Sequence, residues 1–159
     1  MENNQELAVG DKVPNFTLPS DQDKNISISD FLGKNIVIYF YPKDDTPGCT
    51  IEAKDFSCAI EQFENLNTVV IGISRDPVKK HEKFKAKYEL KHILLADVEG
   101  QVCNKFGCWV EKSMYGKKYM GVARRTFLVD TKGIIIKIWP DVKIAGHIED
   151  VIKSIKSHQ

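Results

Sequence analysis

Two stretches of the chain carry no charge and are apolar almost throughout. Ile36–Val37–Ile38–Tyr39–Phe40–Tyr41 and Val69–Ser74 (VVIGIS) are rich in β-branched and aromatic residues, the pattern of strands covered on both faces. Between them the period changes. Cys49–Glu64 places Ala53, Phe56, Ile60 and Phe63 in steps of three and four, which predicts a helix with one apolar face. Upstream, a Gly10–Asp11 turn precedes a short strand over Val13–Leu18, and a polar turn over Ser20–Asn25 leads to a second at Ile26–Ile28. Asp76–Pro77 offers an N-cap and an N1 proline for a helix through Tyr88. A further helix is expected over Gln101–Phe106. Arg124–Val129 and Ile134–Trp139 flank Asp130–Gly133, which has the chemistry of a hairpin turn. Ile148, Val151, Ile152 and Ile155 mark one face of a closing helix. This order predicts an α/β sandwich with a mixed central sheet, built as a single domain over 1–159.

Composition narrows the functional classes. The 159 residues can bury a real core, and 23 Lys+Arg against 22 Asp+Glu leave a net charge of +1, with no pull toward nucleic acid. The basic clusters Lys79–Lys87 and Lys112–Lys118 read as solvated faces. No apolar run approaches the ~18 residues that span a bilayer, and Met1–Asp11 lacks a signal-peptide pattern. A cytoplasmic protein is expected. Its four cysteines, at 49, 58, 103 and 108, should then be free, catalytic or metal-bound rather than structurally paired.

The informative segment is Tyr41–Phe56, YPKDDTPGCTIEAKDF, directly after the first buried strand. Loops at the carboxyl ends of such strands are where α/β folds place ligands. Pro42, Pro47 and Gly48 shape the loop, and Cys49 falls in the first turn of the helix that follows. Unpaired backbone N–H groups and the helix dipole favour an anionic sulfur there. An isolated cysteine is more often a small buried hydrophobe; the surrounding segment argues otherwise.

The string Pro42-x3-Thr46-Pro47-x-Cys49 resembles the active-site signature of the peroxiredoxins. The longer TPGCTIEAKDF is similar to their bacterioferritin comigratory protein, or Q-type, branch. The likeness extends over VPNFTLPSDQDKNISISDF, VIYFYPKDDTPGCT, GISRDPVKKHEKFKAKY and ADVEGQVCNKFGCW through RRTFLVDTKG. It implies a thioredoxin-like fold with a short N-terminal β-hairpin and an antioxidant enzyme without cofactor or metal. It also implies a hydroperoxide substrate, a monomer, and thioredoxin or glutaredoxin with glutathione as reductant. Carried over by position, it makes Cys49 the peroxidatic nucleophile. The Thr46 hydroxyl would bond both the sulfur and the peroxide, and Pro42 would shield the sulfur from water. A strand arginine would complete the site. Arg124 and Arg125 compete for that role, and in a strand they face opposite ways. The family's Arg-x-(Ser/Thr)-Phe spacing selects Arg124, on the face of Thr126, and Glu52 matches a carboxylate that orients it.

One element of the resemblance is missing. At the two positions where Q-type relatives carry a resolving cysteine this chain has Lys54 and Lys85. Cys58 lies nine residues beyond Cys49, about 13.5 Å of helical rise and on the opposite face, too far for a disulfide. Of Cys103 and Cys108, the latter is the better internal candidate because it follows Gly107. Rival readings are weaker. A thioredoxin-type oxidoreductase needs Cys-x-x-Cys, and Glu52 stands at that spacing. Cys103, Cys108, His81 and His92 lack the close ligand pairs of a structural zinc site. A peroxide sensor or holdase using the same cysteine is the alternative from another class.

Overall fold

The computed structural model describes residues 7–22 and 24–158. Residues 1–6, on which part of the signal-peptide reading rests, and residue 23 of the Ser20–Asn25 turn fall outside the described residues. A short antiparallel pair, β1 (Thr17–Pro19) and β2 (Asn25–Ser27), comes first. The first apolar run forms β3 (Asn35–Phe40), whose residues are all buried. After α1 (Pro47–Cys58) and α2 (Ile60–Asn65), the second run forms β4 (Thr68–Ser74), parallel to β3. Then come α3 (Val78–Tyr88), β5 (Ile93–Ala96), parallel to β4, and α4 (Gln101–Lys105). A hairpin of β6 (Trp109–Met114) and β7 (Lys117–Val122) precedes β8 (Arg125–Val129) and β9 (Ile135–Trp139), and α5 (His147–His158) closes the chain.

The central sheet has the order β5-β4-β3-β8-β9, with β8 antiparallel to β3 and to β9. This agrees with the expected α/β sandwich and mixed sheet. The period of two in β3 divides the core into two layers. Ile36, Ile38 and Phe40 face a cluster with Phe16, Val102, Cys103, Phe106 and Cys108. Val37 and Tyr39 face the other, with Cys49, Phe56, Phe84, Val151 and Ile155. Helices α1, α2, α3 and α5 therefore cover one face; the N-terminal segment and α4 cover the other.

Four local expectations are corrected. The helix expected over Cys49–Glu64 starts two residues earlier and is interrupted at Ala59 (φ −95°, ψ 7°), where the backbone N–H is shared between the Asp55 and Phe56 carbonyls. Asp76 does not cap α3; Pro77 does. The Asp76 carboxylate instead accepts from Asp44 N and from the Ser74 hydroxyl. Of Val13–Leu18 only Thr17 and Leu18 are strand, within β1; ahead of them Lys12 bridges to Ile134 and Val13 N donates to the Gly133 carbonyl. The basic run over Lys112–Lys118 is a hairpin, turned by Tyr115 (φ 53°) and Gly116 (φ 79°); two adjacent residues in the left-handed region match the twist of the flanking strands.

Candidate active site

Pro47 occupies the first position of α1 and Thr46 its N-cap, so Cys49 is the third helical residue. The first helical hydrogen bond runs from Thr50 N to the Thr46 carbonyl at 2.8 Å. The N–H groups of Gly48 and Cys49 thus lack an intrahelical acceptor, and the positive end of the dipole surrounds the sulfur. Cys49 is 2% exposed.

Arg124 enters this site from the residue before β8, which starts one residue later than expected. Its Nη2 donates to Cys49 Sγ at 3.4 Å and its Nη1 to Glu52 Oε1 at 2.8 Å. Glu52 is fully buried one helical turn beyond Cys49, and its Oε2 has no partner among the described residues. Burial pushes its carboxyl up to about 7, against the opposing pull of Arg124. Gly48 makes room for the guanidinium: a Cβ there would sit 3.1 Å from Arg124 Nη2 and 3.3 Å from Ile144 Cδ1. Arg125 turns to the other side and donates to the Gly107 and Pro140 carbonyls.

Pro42 is half-buried and lines a groove together with Arg124. Thr46 departs from the expected arrangement. Its hydroxyl donates to the Lys43 carbonyl at 2.8 Å, and among the described residues it makes no hydrogen bond to Cys49. A hydroxyl has one proton, and with that proton committed Oγ1 has only lone pairs to offer.

The loop is anchored by residues that motif reading did not single out. The Tyr41 hydroxyl donates to Asp44 Oδ1 at 2.5 Å, and His81 Nδ1 lies 2.6 Å from Asp44 Oδ2. His81 Nε2 is 2.9 Å from the Leu95 carbonyl, which can only accept, so Nε2 carries a proton. Asp45, held at φ 60°, accepts from Lys87 Nζ and the Tyr88 hydroxyl of α3. The available signal was His81 in line with Phe84 and Tyr88 on one face of α3, a polar side chain on an apolar stripe.

The remaining cysteines are scattered. Cys58 is exposed at the far end of α1. Cys103 and Cys108 are buried in the layer across the sheet from Cys49, so in this arrangement the strands separate the internal candidate Cys108 from Cys49. Burial, then Asp97, pushes Cys103 up to about 12; burial, then Cys103, raises Cys108. Lys54 is exposed on α1, and Lys85 is bound to Asp21 at 2.9 Å.

Comparison with known proteins places this geometry. Residues 9–138 match the AhpC/TSA family. The putative peroxiredoxin bcp of Coxiella burnetii is 48% identical over 146 residues, 92% of this chain and 97% of that protein. Peroxiredoxin Bcp of Bacillus subtilis is 44% identical over 150 residues, 94% and 96% respectively. A cysteine mutant of Xylella fastidiosa PrxQ superposes with a TM-score of 0.92 at 35% identity, covering 97% of this chain and 98% of that one. The Xanthomonas campestris bacterioferritin comigratory protein, described for its alkyl peroxide reduction activity, gives a TM-score of 0.86 at 37% identity, covering 90% and 91%. The chain belongs to the AhpC/TSA family, within the Bcp, or Q-type, peroxiredoxins, and has their thioredoxin-like fold. With membership comes the class of chemistry, thiol-dependent peroxide reduction.

Proposed function

We propose that this chain reduces hydrogen peroxide and organic hydroperoxides with Cys49 as nucleophile, and that an external thiol reduces the Cys49 sulfenic acid. The sulfur anion attacks one peroxide oxygen, and a new S–O bond forms as the O–O bond breaks. The other oxygen leaves with the electron pair and takes up a proton as water or alcohol. Negative charge moves from sulfur to the leaving oxygen, so fixed donors along that path stabilise the transition state more than the ground state. Arg124 supplies such donors because its fork is rigid and permanently charged, and Glu52 fixes the orientation of that fork. Pro42 limits water at the mouth. Thr46 takes a narrower role than the resemblance implies: with its proton on Lys43 O, its lone pairs accept the peroxide O–H and steer the attacked oxygen.

The observation that carries this reading is the 3.4 Å contact between Arg124 Nη2 and a cysteine at the third position of α1. Reduction by thioredoxin, or by glutathione with glutaredoxin, is supported by the placement of the other three cysteines, none of which shares the site. The test is peroxide consumption by Cys49→Ser with a thiol reductant. Loss of all but a trace of turnover in a protein with unchanged far-ultraviolet dichroism is expected. Retention of activity would remove Cys49 from the mechanism.

A further inference from the structure

The β6–β7 hairpin forms a two-stranded sheet of its own. Of the eight large apolar side chains exposed among the described residues, four lie in it: Met114, Tyr115, Tyr119 and Met120. An apolar group gathered in this way on a folded surface marks a place that another molecule covers. Tyr115, at the turn, is 98% exposed and sits at φ 53°. A bulky residue is strained in that region, and Asn or Gly would hold the same turn more easily. At that exposure the ring stabilises nothing within the fold, so the strained turn serves to present it to solvent.

The two faces of the hairpin differ. Lys112 lies opposite Tyr119 and Met114 opposite Lys117, so these four share one face. The other carries Glu111, the hairpin's one carboxylate, bound to Lys118 at 3.6 Å. The first face is therefore apolar and cationic, with no acidic group of its own. It also runs into the site. Val110 and Lys112, on that face by the period of two, line the groove of about 480 Å³ that contains Arg124, and Arg124 Nη2 reaches the Cys49 sulfur. The groove's one carboxylate, Asp141, is bound to Lys143 at 3.5 Å. Lys112 is near enough to Arg124, Cys49 and Asp141 for their charges to act on it. The turn at Tyr115 lies about 10 Å further out along the strand. Cys58, Cys103 and Cys108 do not share the site, so in the proposed cycle the thiol that reduces Cys49 comes from outside. A small thiol needs no surface of this size; a protein does.

We infer that the Lys112–Met114–Lys117–Tyr119 face of the hairpin, with Tyr115 at its tip, is the docking surface for the reductant, a dithiol protein whose surface beside its reactive thiol is apolar and acidic. The inference rests on the Cys49 peroxidase reading and deepens it by placing the second substrate. Docked there, the partner's thiolate attacks the sulfur of the Cys49 sulfenic acid. An S–S bond forms as the S–O bond breaks, and the departing hydroxide takes up a proton and leaves as water. The partner's second thiol then displaces Cys49 as a thiolate and closes the partner's own disulfide.

The experiment oxidises the protein with one equivalent of peroxide and measures its reduction by thioredoxin and, separately, by dithiothreitol at physiological ionic strength. Tyr115→Asn suits the left-handed turn and deletes the ring, so it should slow thioredoxin about tenfold while leaving or raising the thermal midpoint. Lys117→Glu should slow it several-fold, less so with added salt. Lys118→Glu, the same charge change on the opposite face, should slow it by less than about twofold. Reduction by dithiothreitol and oxidation by peroxide should be unchanged in all three. An unchanged thioredoxin rate in Tyr115→Asn or in Lys117→Glu overturns the inference, as does a parallel loss with dithiothreitol or an equal loss in Lys118→Glu. A wild-type dimer that Tyr115→Asn dissociates at an unchanged thioredoxin rate assigns the face to a second copy and likewise overturns it. Reduction by dithiothreitol but not by thioredoxin also overturns it and leaves the peroxidase reading intact. If peroxide does not oxidise Cys49 at all, the peroxidase reading has failed instead.

Discussion

Cys49 and the pair Cys103 and Cys108 lie on opposite faces of one sheet, all at 2% exposure or less. Burial is equal; the partners differ. Cys49 has the start of a helix beneath it and Arg124 at 3.4 Å. Cys103 lies in a layer of phenylalanine and aliphatic side chains, and among the described residues the Cys108 thiol hydrogen-bonds only the Phe106 carbonyl, at 3.6 Å, an acceptor that favours the neutral S–H. Oriented donors distinguish a reactive sulfur from an inert one, and in this chain the period of two along β3 assigns each cysteine to its layer.

The sharpest way to break that contrast is to remove the donor. Arg124→Ala is expected to slow oxidation of Cys49 by about 10²–10³, the usual cost of losing one strong donor to a developing charge. Arg125→Ala should change it by less than about threefold, because Arg125 bonds carbonyls on the other side of the sheet. Stopped-flow oxidation of both variants checks this. The reverse ranking would mean that the resting contact is not the one used in the reaction.

The two faces were also unequally legible. β3, β4 and the loop carrying Cys49 could be read because uninterrupted β-branched runs have few other uses, and because the loop's motif is dense. Periodicity could show that Arg124 and Arg125 diverge but not which faces Cys49; that choice needed the family's spacing. Hairpin β6–β7 was hidden by its chemistry. Both strands are largely solvated, and their lysines, Lys112, Lys117 and Lys118, looked like a charge run rather than the outer positions of a strand pair. β5, only four residues long (Ile93–Ala96), left too short a run to be assigned. The burial of Glu52 had a readable sign, since 49, 52, 53 and 56 fall on one helical stripe and a carboxylate interrupts it. Its partner, 72 residues away, could be named only through the family resemblance, not from periodicity.

Glu52 gives the second test. Its carboxyl, held at about 7 against an ordinary 4.5 by burial, carries a proton in the folded state at pH values where the unfolded chain has lost it. The folded state binds more protons across that window, so stability falls as pH rises from about 4.5 to 7 and the cost is complete above. The span corresponds to ~3 kcal/mol. Glu52→Gln does not titrate there, so its stability relative to the wild-type protein should increase over the same window, in denaturant melts at pH 4.5 and pH 8. A Gln oxygen still accepts from Arg124, so peroxide attack should slow only several-fold. A pH-independent stability difference would show that Glu52 is ionised throughout, held by Arg124 more strongly than burial opposes it.

The smallest effect is expected from removing every other sulfur. Cys58→Ser, Cys103→Ala and Cys108→Ala together leave Cys49 as the one thiol. The two core changes delete a single small side-chain atom each and should cost stability by about 1 kcal/mol apiece. Turnover with thioredoxin, or with glutathione and glutaredoxin, should stay near the wild-type rate. Cys58 sits at the solvent end of α1, nine residues from Cys49, and Cys103 and Cys108 are separated from it by the strands. The relatives' two positions are filled by Lys54 and by Lys85, which is bound to Asp21. The loop itself is held down by α3 through Asp44–His81, Asp45–Lys87 and Asp45–Tyr88, contacts that would have to break for Cys49 to travel. A sulfenic acid kept in place and without an internal partner should be trapped readily by a sulfenic-acid reagent, and excess peroxide should carry it on to sulfinic acid. Mass spectrometry of the trapped adduct, alongside steady-state turnover, decides between the two cycles. If activity collapses in the triple variant and one restored cysteine rescues it together with a disulfide to Cys49, the loop does open, and the hydrogen bonds from α3 are a latch the reaction releases rather than a fixed support.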